Sequence, residues 1–191
     1  MRARKHTSLL YGILTAMLCA GLLPNVHAQS RTYTVIQAGG ILGMATTSAH
    51  SPMHGYQVQL SFGRNFQDRV YAGLGLSQDI YRGTSELADG RRSTRRINTL
   101  PIFAEIRVPL TNIGMLGSLG TLASAGYAPP MGAEYFGGFT GKAGLSYGHM
   151  LADRSDLLFS VGYGFQQFDS RFSLAPFSQH NAFISIGLFV R

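Results

Sequence analysis

The sequence predicts an all-β protein: a closed, antiparallel, eight-stranded transmembrane β-barrel of the up-and-down type. Three observations lead to this fold class. Charged residues make up only 13% of the 191-residue chain, which holds 24 glycines and 12 phenylalanines, whereas soluble proteins average about twice that charged share. Apolar and small polar residues alternate along many segments. Short and long connections alternate between those segments.

Residues 1–28 have the three-part organisation of a secretory signal peptide. Residues 1–6 carry three positive charges, residues 8–23 are apolar, and Ala28 precedes the predicted cut. A short membrane anchor is the alternative interpretation. We expect a cleavable signal peptide at 1–28, followed by one barrel domain at 29–191.

Removing this leader changes the chemistry available to the mature chain. The single cysteine, Cys19, would be lost with it, which leaves neither a disulfide nor a cysteine nucleophile. The bulky Leu18 argues against lipoprotein processing at Cys19. Loss of the three leader cations lowers the formal charge from +7 to +4, too little to indicate a nucleic-acid partner.

Eight segments are long enough to cross a membrane as tilted strands, which takes roughly 9–11 residues. They are 32–44, 54–64, 69–81, 96–110, 118–128, 138–150, 157–170 and 181–190. Glycines within them, such as Gly73 and Gly75, are interpreted as relieving crowding or allowing bends.

The second face of these segments favours a membrane barrel over a soluble barrel, the alternative fold. A soluble barrel would expose this face to water and fill it with large charged residues. Here it carries small polar groups such as Gln57, Gln59 and Ser61, which suit the narrow interior of eight strands. The apolar face then meets lipid. The predicted lipid-facing residues include Leu100, Ile102, Ile106, Phe159, Val161, Ile184, Ile186 and Leu188.

The connections fit the same architecture. The short ones lie near 65–68, 111–117 and 151–156, and the long ones near 45–53, 82–95, 129–137 and 171–180. This alternation is typical of tight periplasmic turns and extended outer loops. The first and last strands should pair, because lipid leaves no tolerable alternative for an unpaired edge.

The sequence resembles the small outer-membrane β-barrel proteins that include the OmpA membrane domain and OmpX-like proteins. The segments that carry the resemblance are Asn181-Ala-Phe-Ile-Ser-Ile-Gly-Leu-Phe-Val-Arg191 and Thr99-Leu-Pro-Ile-Phe-Ala-Glu-Ile-Arg107. The resemblance implies the bacterial outer membrane as location and the barrel-assembly machinery as a partner during biogenesis. In that family the last strand ends in an aromatic residue, whereas here Arg191 follows Phe189 and Val190.

Four charged residues fall on the predicted lumen face: Asp79, Glu105, Arg107 and Lys142. They could form an ion path or a structural network. We predict the network, because eight strands leave no room for an aqueous channel and buried charges persist when they are paired. Glu105 and Arg107 are each expected to find an opposite charge across the lumen, with Asp79 and Lys142 as the nearest candidates.

A lipid-modifying enzyme of the lipid A acyltransferase or deacylase type is the alternative function. It would need a serine with a histidine base at the outer edge of the membrane. Ser178 and His180 fall in the last outer loop, and His50 and His54 in the first, but no acidic residue near them suggests a third member. We therefore assign no catalytic residue, no metal ligand and no cofactor.

The predicted loop between the third and fourth strands is basic. It contains Arg82, Arg91, Arg92, Arg95 and Arg96. Arginine forks match phosphates well, so this loop is a candidate contact for lipopolysaccharide, the alternative being a solvated loop without a specific partner. The sequence favours a non-enzymatic, monomeric outer-membrane barrel with a structural or surface-interaction role. The expected partners are outer-membrane lipid and lipopolysaccharide, and a host surface or an unidentified surface ligand is also considered. No nucleic-acid partner is expected.

Overall fold

The computed structural model describes residues 32–47, 52–86, 92–131, 136–169 and 177–191, with the backbone alone at 85–86 and 92–95. The predicted signal peptide at 1–28 lies outside the described residues. No helix in the described part of the chain is long and apolar enough to cross a membrane.

The described strands form one antiparallel sheet that closes on itself. They are β1 (Thr32–Thr46), β2 (His54–Phe66), β3 (Val70–Glu86), β4 (Arg92–Thr99), β5 (Ile102–Ile113), β6 (Gly117–Ala128), β7 (Gly138–Ala152), β8 (Ser155–Phe168) and β9 (Phe177–Val190). Each strand pairs with the next along the chain, except that both β4 and β5 pair with β3. Pairing of β1 with β9 closes the barrel, as predicted.

The nine strands make eight crossings, because β4 and β5 together form the fourth. β4 and β5 pair with β3 in the same register, because Asp79 lies opposite Thr99 and Leu76 lies opposite Ile102. The strand is interrupted at Leu100–Pro101. The Pro101 carbonyl accepts a hydrogen bond from the Ser77 amide at 3.0 Å, but proline has no N–H to donate in return. The predicted fold class, a closed eight-stranded barrel, is therefore confirmed.

The prediction of a long loop at 82–95 is wrong. β3 continues to Glu86 and β4 begins at Arg92, with Glu86 directly opposite Arg92 in an unbroken ladder. Only 87–91 connects the two strands. The polar composition suggested a loop, but Thr84 and Thr94, which face each other in this ladder, are β-branched and favour strands.

The last strand also begins earlier than predicted, at Phe177 instead of 181. Ser178 and His180 therefore belong to β9 and not to an outer loop. Gln179, between them, is fully buried and turns into the lumen, which explains why a polar stretch was mistaken for a loop.

The connection between β2 and β3 is a tight turn at the end of the barrel that holds the short connections. Gln67 and Asp68 both have φ of 56°, as the primed turns of β-hairpins require. The Arg69 amide donates to the Phe66 carbonyl at 3.0 Å. The Asn65 side chain stabilises the turn by accepting from the Asp68 amide at 2.8 Å.

The predicted lipid-facing surface is confirmed. Its members are large apolar residues that are 39% to 62% exposed: Ile102, Ile106, Phe159, Val161, Ile184, Ile186 and Leu188. Leu100, at the interruption of the fourth crossing, is half-buried. Such a continuous apolar exterior is costly in water and stable in lipid.

Large rings inside the barrel lie opposite glycines. Phe103 on β5 is directly opposite Gly75 on β3 and Gly126 on β6. A Cβ added to Gly75 would stand 2.2 Å from Phe103 Cζ. The absence of a side chain at Gly75 therefore makes room for the Phe103 ring, which is only 5% exposed.

Candidate functional site: a filled interior and a basic outer edge

The described side chains inside the barrel form four levels between the end with short turns and the end with longer connections. We call these the turn end and the loop end. The level nearest the turn end is an apolar cluster, the turn-end cluster: Tyr33, Val35, Tyr71, Leu158 and Phe189. The Tyr33 ring stacks on Phe189 at 5.4 Å, and the Tyr71 ring meets both edge-on. This cluster narrows the turn end of the lumen.

The second level is the ion pair of Glu105 and Arg107, neighbours on the inner face of β5. Arg107 Nε lies 2.9 Å from Glu105 Oε1, and Arg107 Nη2 lies 2.9 Å from Glu105 Oε2. Both residues are at least 95% buried. Such a bidentate pair is among the strongest polar contacts in proteins.

Neutral polar side chains extend this pair across the lumen. Glu105 accepts hydrogen bonds from Gln59 Nε2 at 3.0 Å and from Ser61 Oγ at 2.9 Å. Arg107 Nη2 donates to Gln37 Oε1 at 2.5 Å. Gln37 in turn donates to Ser160 at 3.1 Å and to Ser185 at 3.2 Å. The network thus connects five strands through the centre of the barrel.

The expectation that Glu105 and Arg107 each find an opposite charge across the lumen is wrong. They neutralise one another along a single strand, because residues two apart on a strand share a face. What crosses the lumen is the neutral amide of Gln37.

The third level contains the other two predicted lumen charges. Lys142 Nζ lies 3.4 Å from Asp79 Oδ2 and donates to Gln57 Oε1 at 2.5 Å. Asp79 is fully buried and also accepts from the Ser77 hydroxyl. Lys142 on β7 therefore reaches across to β2 and β3.

The fourth level is an apolar cluster at the loop end, the loop-end cluster. It contains Ile41, Met53, Tyr81, Ile97, Phe168 and Phe177, all at most 5% exposed, with Phe136 packed against them. Met53 precedes β2 and is fixed inside by Gln179, whose amide accepts from the Met53 N–H at 3.0 Å and donates to the Met53 carbonyl at 2.7 Å. A segment from the first outer connection thereby fills the loop end.

A cavity of about 300 Å³ lies beside the turn-end cluster. Arg107, Asp156 and Arg191 contribute to its lining, whereas Asp79 and Lys142 do not. The cavity is therefore confined to the turn end. The Lys142–Asp79 level and the loop-end cluster lie between it and the loop end.

Arg191 lies at the rim of this cavity, beyond β9. Its Nη2 donates to Asp156 Oδ2, and its guanidinium lies 5.5 Å from the centre of the Phe189 ring. Burial opposes the charge of Arg191, but the hydrogen bond and the attraction to Asp156 outweigh it and raise the pKa of Arg191 above its ordinary value.

A row of three basic side chains lies on the outer face of the barrel near the loop end. His54, Arg82 and Arg96 are directly opposite one another across β2, β3 and β4. All three are exposed. The Arg82 guanidinium lies 5.8 Å from the centre of the exposed Tyr56 ring, and Arg96 Nε donates to Asn98 Oδ1 at 3.2 Å. We call His54, Arg82 and Arg96 the basic row.

The other arginines predicted to contact lipopolysaccharide are less fully described. Arg91 lies outside the described residues. The backbones of Arg92 and Arg95 belong to β4, opposite those of Glu86 and Gly83. Sequence reasoning missed His54 as a neighbour of Arg82, because strand register decides which residues meet, and composition carries no signal for register.

The residues considered for catalysis make other contacts. The Ser178 hydroxyl is 3.3 Å from that of Thr47, and His180 Nδ1 is hydrogen-bonded to the Tyr163 hydroxyl. His54 belongs to the basic row, and His50 lies outside the described residues. Within the described ranges, no group of three His, Cys, Asp or Glu side chains could hold a metal ion.

A barrel closed by eight crossings, apolar outside and polar within, defines a class: the small transmembrane β-barrels of the bacterial outer membrane. Solved structures of this class resemble the chain. Outer membrane protein OprG from Pseudomonas aeruginosa matches with a TM-score of 0.55 and 10% sequence identity, over 84% of this chain and 95% of that one. Neisserial surface protein A matches with a TM-score of 0.51 and 13% identity, over 83% and 96%. No protein-family model and no curated protein matches the sequence.

These structures confirm at the level of the fold the resemblance to small outer-membrane barrels. Together with the apolar exterior, the fold places the protein in the outer membrane.

Proposed function

We propose that this protein is a non-enzymatic, non-conducting outer-membrane barrel that acts through its surface. Its role is structural, or one of surface interaction with lipopolysaccharide or a host surface. The observation that carries the proposal is the filled interior: two levels of paired charges lie between two apolar clusters, and the cavity at the turn end extends no further than Arg107. A barrel without an open lumen has only its exterior and its ends with which to act.

The lumen charges support this role as structural groups. Their charges are matched in pairs, and neighbouring glutamines and serines bond to Glu105, to Arg107 Nη2 and to Lys142. Among the buried polar atoms of these four described side chains, only Nη1 of the Arg107 guanidinium has no hydrogen-bond partner. A permeation path would instead need water and weakly held, exchangeable sites. The lipid-modifying alternative has less support, because the described partners of Ser178 and His180 are Thr47 and Tyr163.

Deletion of the coding region tests the proposal. If the role is structural, loss of the protein should increase entry of a hydrophobic fluorescent dye, and the wild-type gene should restore the barrier. If the role is surface interaction, adhesion to host surfaces should fall while dye entry is unchanged. Slower uptake of small hydrophilic solutes, with barrier and adhesion intact, would contradict the proposal and indicate a channel.

A further inference from the structure

The basic row brings like charges together without an acidic residue in register. Arg82 and Arg96 are directly opposite on neighbouring strands, with His54 opposite Arg82 on the other side. Like charges directly opposite in a sheet destabilise it. Their described contacts are the Tyr56 ring and the Asn98 amide oxygen, neither of which is an anion. An external anion would relieve the repulsion.

The height of the row on the barrel indicates where that anion would come from. On β3, Ala72 and Arg82 both point outward and are ten residues apart. Ala72 lies opposite the exposed Arg64, and Arg82 lies opposite His54. At about 3.3 Å per residue and a tilt of about 40°, this separation spans about 25 Å along the membrane normal. That is the usual height of the apolar band of such barrels. The basic row therefore lies at the outer boundary of the lipid tails.

The residues just below the row have the chemistry of that boundary. Tyr56 and Asn98 lie in the next row of the same register, on either side of Ile80, which is buried. Tyr56 is 43% exposed and lies under the Arg82 guanidinium. Tyrosines concentrate at the level of lipid headgroups, where the ring meets the tails and the hydroxyl meets water.

We infer that the basic row is a phosphate-binding site for lipopolysaccharide, in which Arg82 and Arg96 hold a lipid A phosphate and His54 donates from the side. The inference rests on the proposed surface role and names its ligand. Arginine forks suit phosphate oxygens, and antiparallel neighbours about 5 Å apart allow two side chains to share one phosphate.

The test compares two double variants of the folded, full-length mature protein in detergent. R82Q/R96Q removes two charges from the row, whereas R64Q/R69Q removes two exposed arginines from the turn end. The probe is bisphosphorylated lipid A, and the readout is the amount retained after washing at low and moderate salt. Heat-modifiable gel migration verifies that both variants are folded.

At low salt R82Q/R96Q should retain lipid A about 30-fold more weakly, because each basic residue at an anionic surface contributes about fivefold. Its retention should also depend less on salt. R64Q/R69Q should behave as wild type, and R82K/R96K should be intermediate, because lysine keeps the charge but loses the fork. Equal retention by R82Q/R96Q and wild type, or an equal loss in R64Q/R69Q, would overturn the inference.

Two further probes distinguish the sources of phosphate. Lipid A stripped of its phosphates should bind wild type as weakly as bisphosphorylated lipid A binds R82Q/R96Q. Phosphatidylglycerol that binds wild type as tightly as lipid A would overturn the assignment to lipopolysaccharide. If R82Q/R96Q retains lipid A as wild type does, the assignment of the basic row is wrong. If the deletion strain still shows a permeability defect, the proposed function is unaffected by that result.

Discussion

Glu105 and Arg107 each depend on the other, because both are buried at the centre of the barrel. Replacing Glu105 with alanine strands the Arg107 guanidinium and removes the acceptor of Gln59 and Ser61. Breaking a buried pair in this way commonly costs about 3–5 kcal/mol. We expect E105A to unfold at a lower urea concentration in detergent and to lose heat-modifiable gel migration at a lower temperature.

The matched control for E105A removes both charges together. E105M/R107M leaves no unpaired charge, and apolar replacement of a buried pair is often neutral or stabilising. The double variant should therefore be more stable than E105A. An E105A variant as stable as wild type would mean that the lumen is wet and that these charges are weakly coupled.

Single residues also mark the limit of prediction from sequence. Alternation identified Asp79, Glu105, Arg107 and Lys142 as facing the lumen, because the period of a strand is two. It could not identify their partners, which depend on how neighbouring strands are offset. Gln37, the bridge to Arg107, had no distinguishing feature in the sequence.

Strand pairs are stabilised where a large inward ring meets a small neighbour. The pair of Gly75 on β3 and Phe103 on β5 is the clearest instance. Alanine at position 75 would force the buried Phe103 ring to move, since the new Cβ would stand 2.2 Å from it. Overpacking of this kind costs about 1–3 kcal/mol, and we expect G75A to lower the midpoint of urea unfolding accordingly.

Gly40 on β1 supplies the control for G75A. It lies on the outer face, and a Cβ there would meet nothing nearer than Ile184 Cγ2 at 4.0 Å. G40A should therefore leave stability within about 0.5 kcal/mol of wild type. If the two alanine variants were equally destabilised, loss of glycine itself would be the cause, and the account of the Phe103 ring would be wrong.

Strand boundaries were harder to predict than strand existence. All eight crossings could be recognised from alternation, yet the hairpin of β3 and β4 extends past Arg82 to Glu86. Polar residues there resemble a loop, and only the pairing of 82–86 with 92–96 makes them strands. The interruption at Pro101 was equally hidden, because the register on both sides of it is unchanged.

At the scale of the whole molecule, the two ends of the lumen are closed by different means. The aromatic rings of Tyr33, Tyr71 and Phe189 close much of the turn end, beside a cavity lined by Arg107. The loop end is closed by Met53 and the rings around it. The small polar lumen face correctly indicated a narrow interior, but closure by a segment from an outer connection could not be predicted from composition.

The central claim is that this barrel does not conduct. Single-channel recording of the folded wild-type protein in planar bilayers tests it most directly. The current trace should be flat at moderate voltage, because ions would have to pass two levels of bonded charges and the loop-end cluster. E105A, which leaves both apolar clusters in place, should also stay closed. Stable, discrete conductance steps from the wild-type protein would contradict the filled interior and the surface role inferred from it.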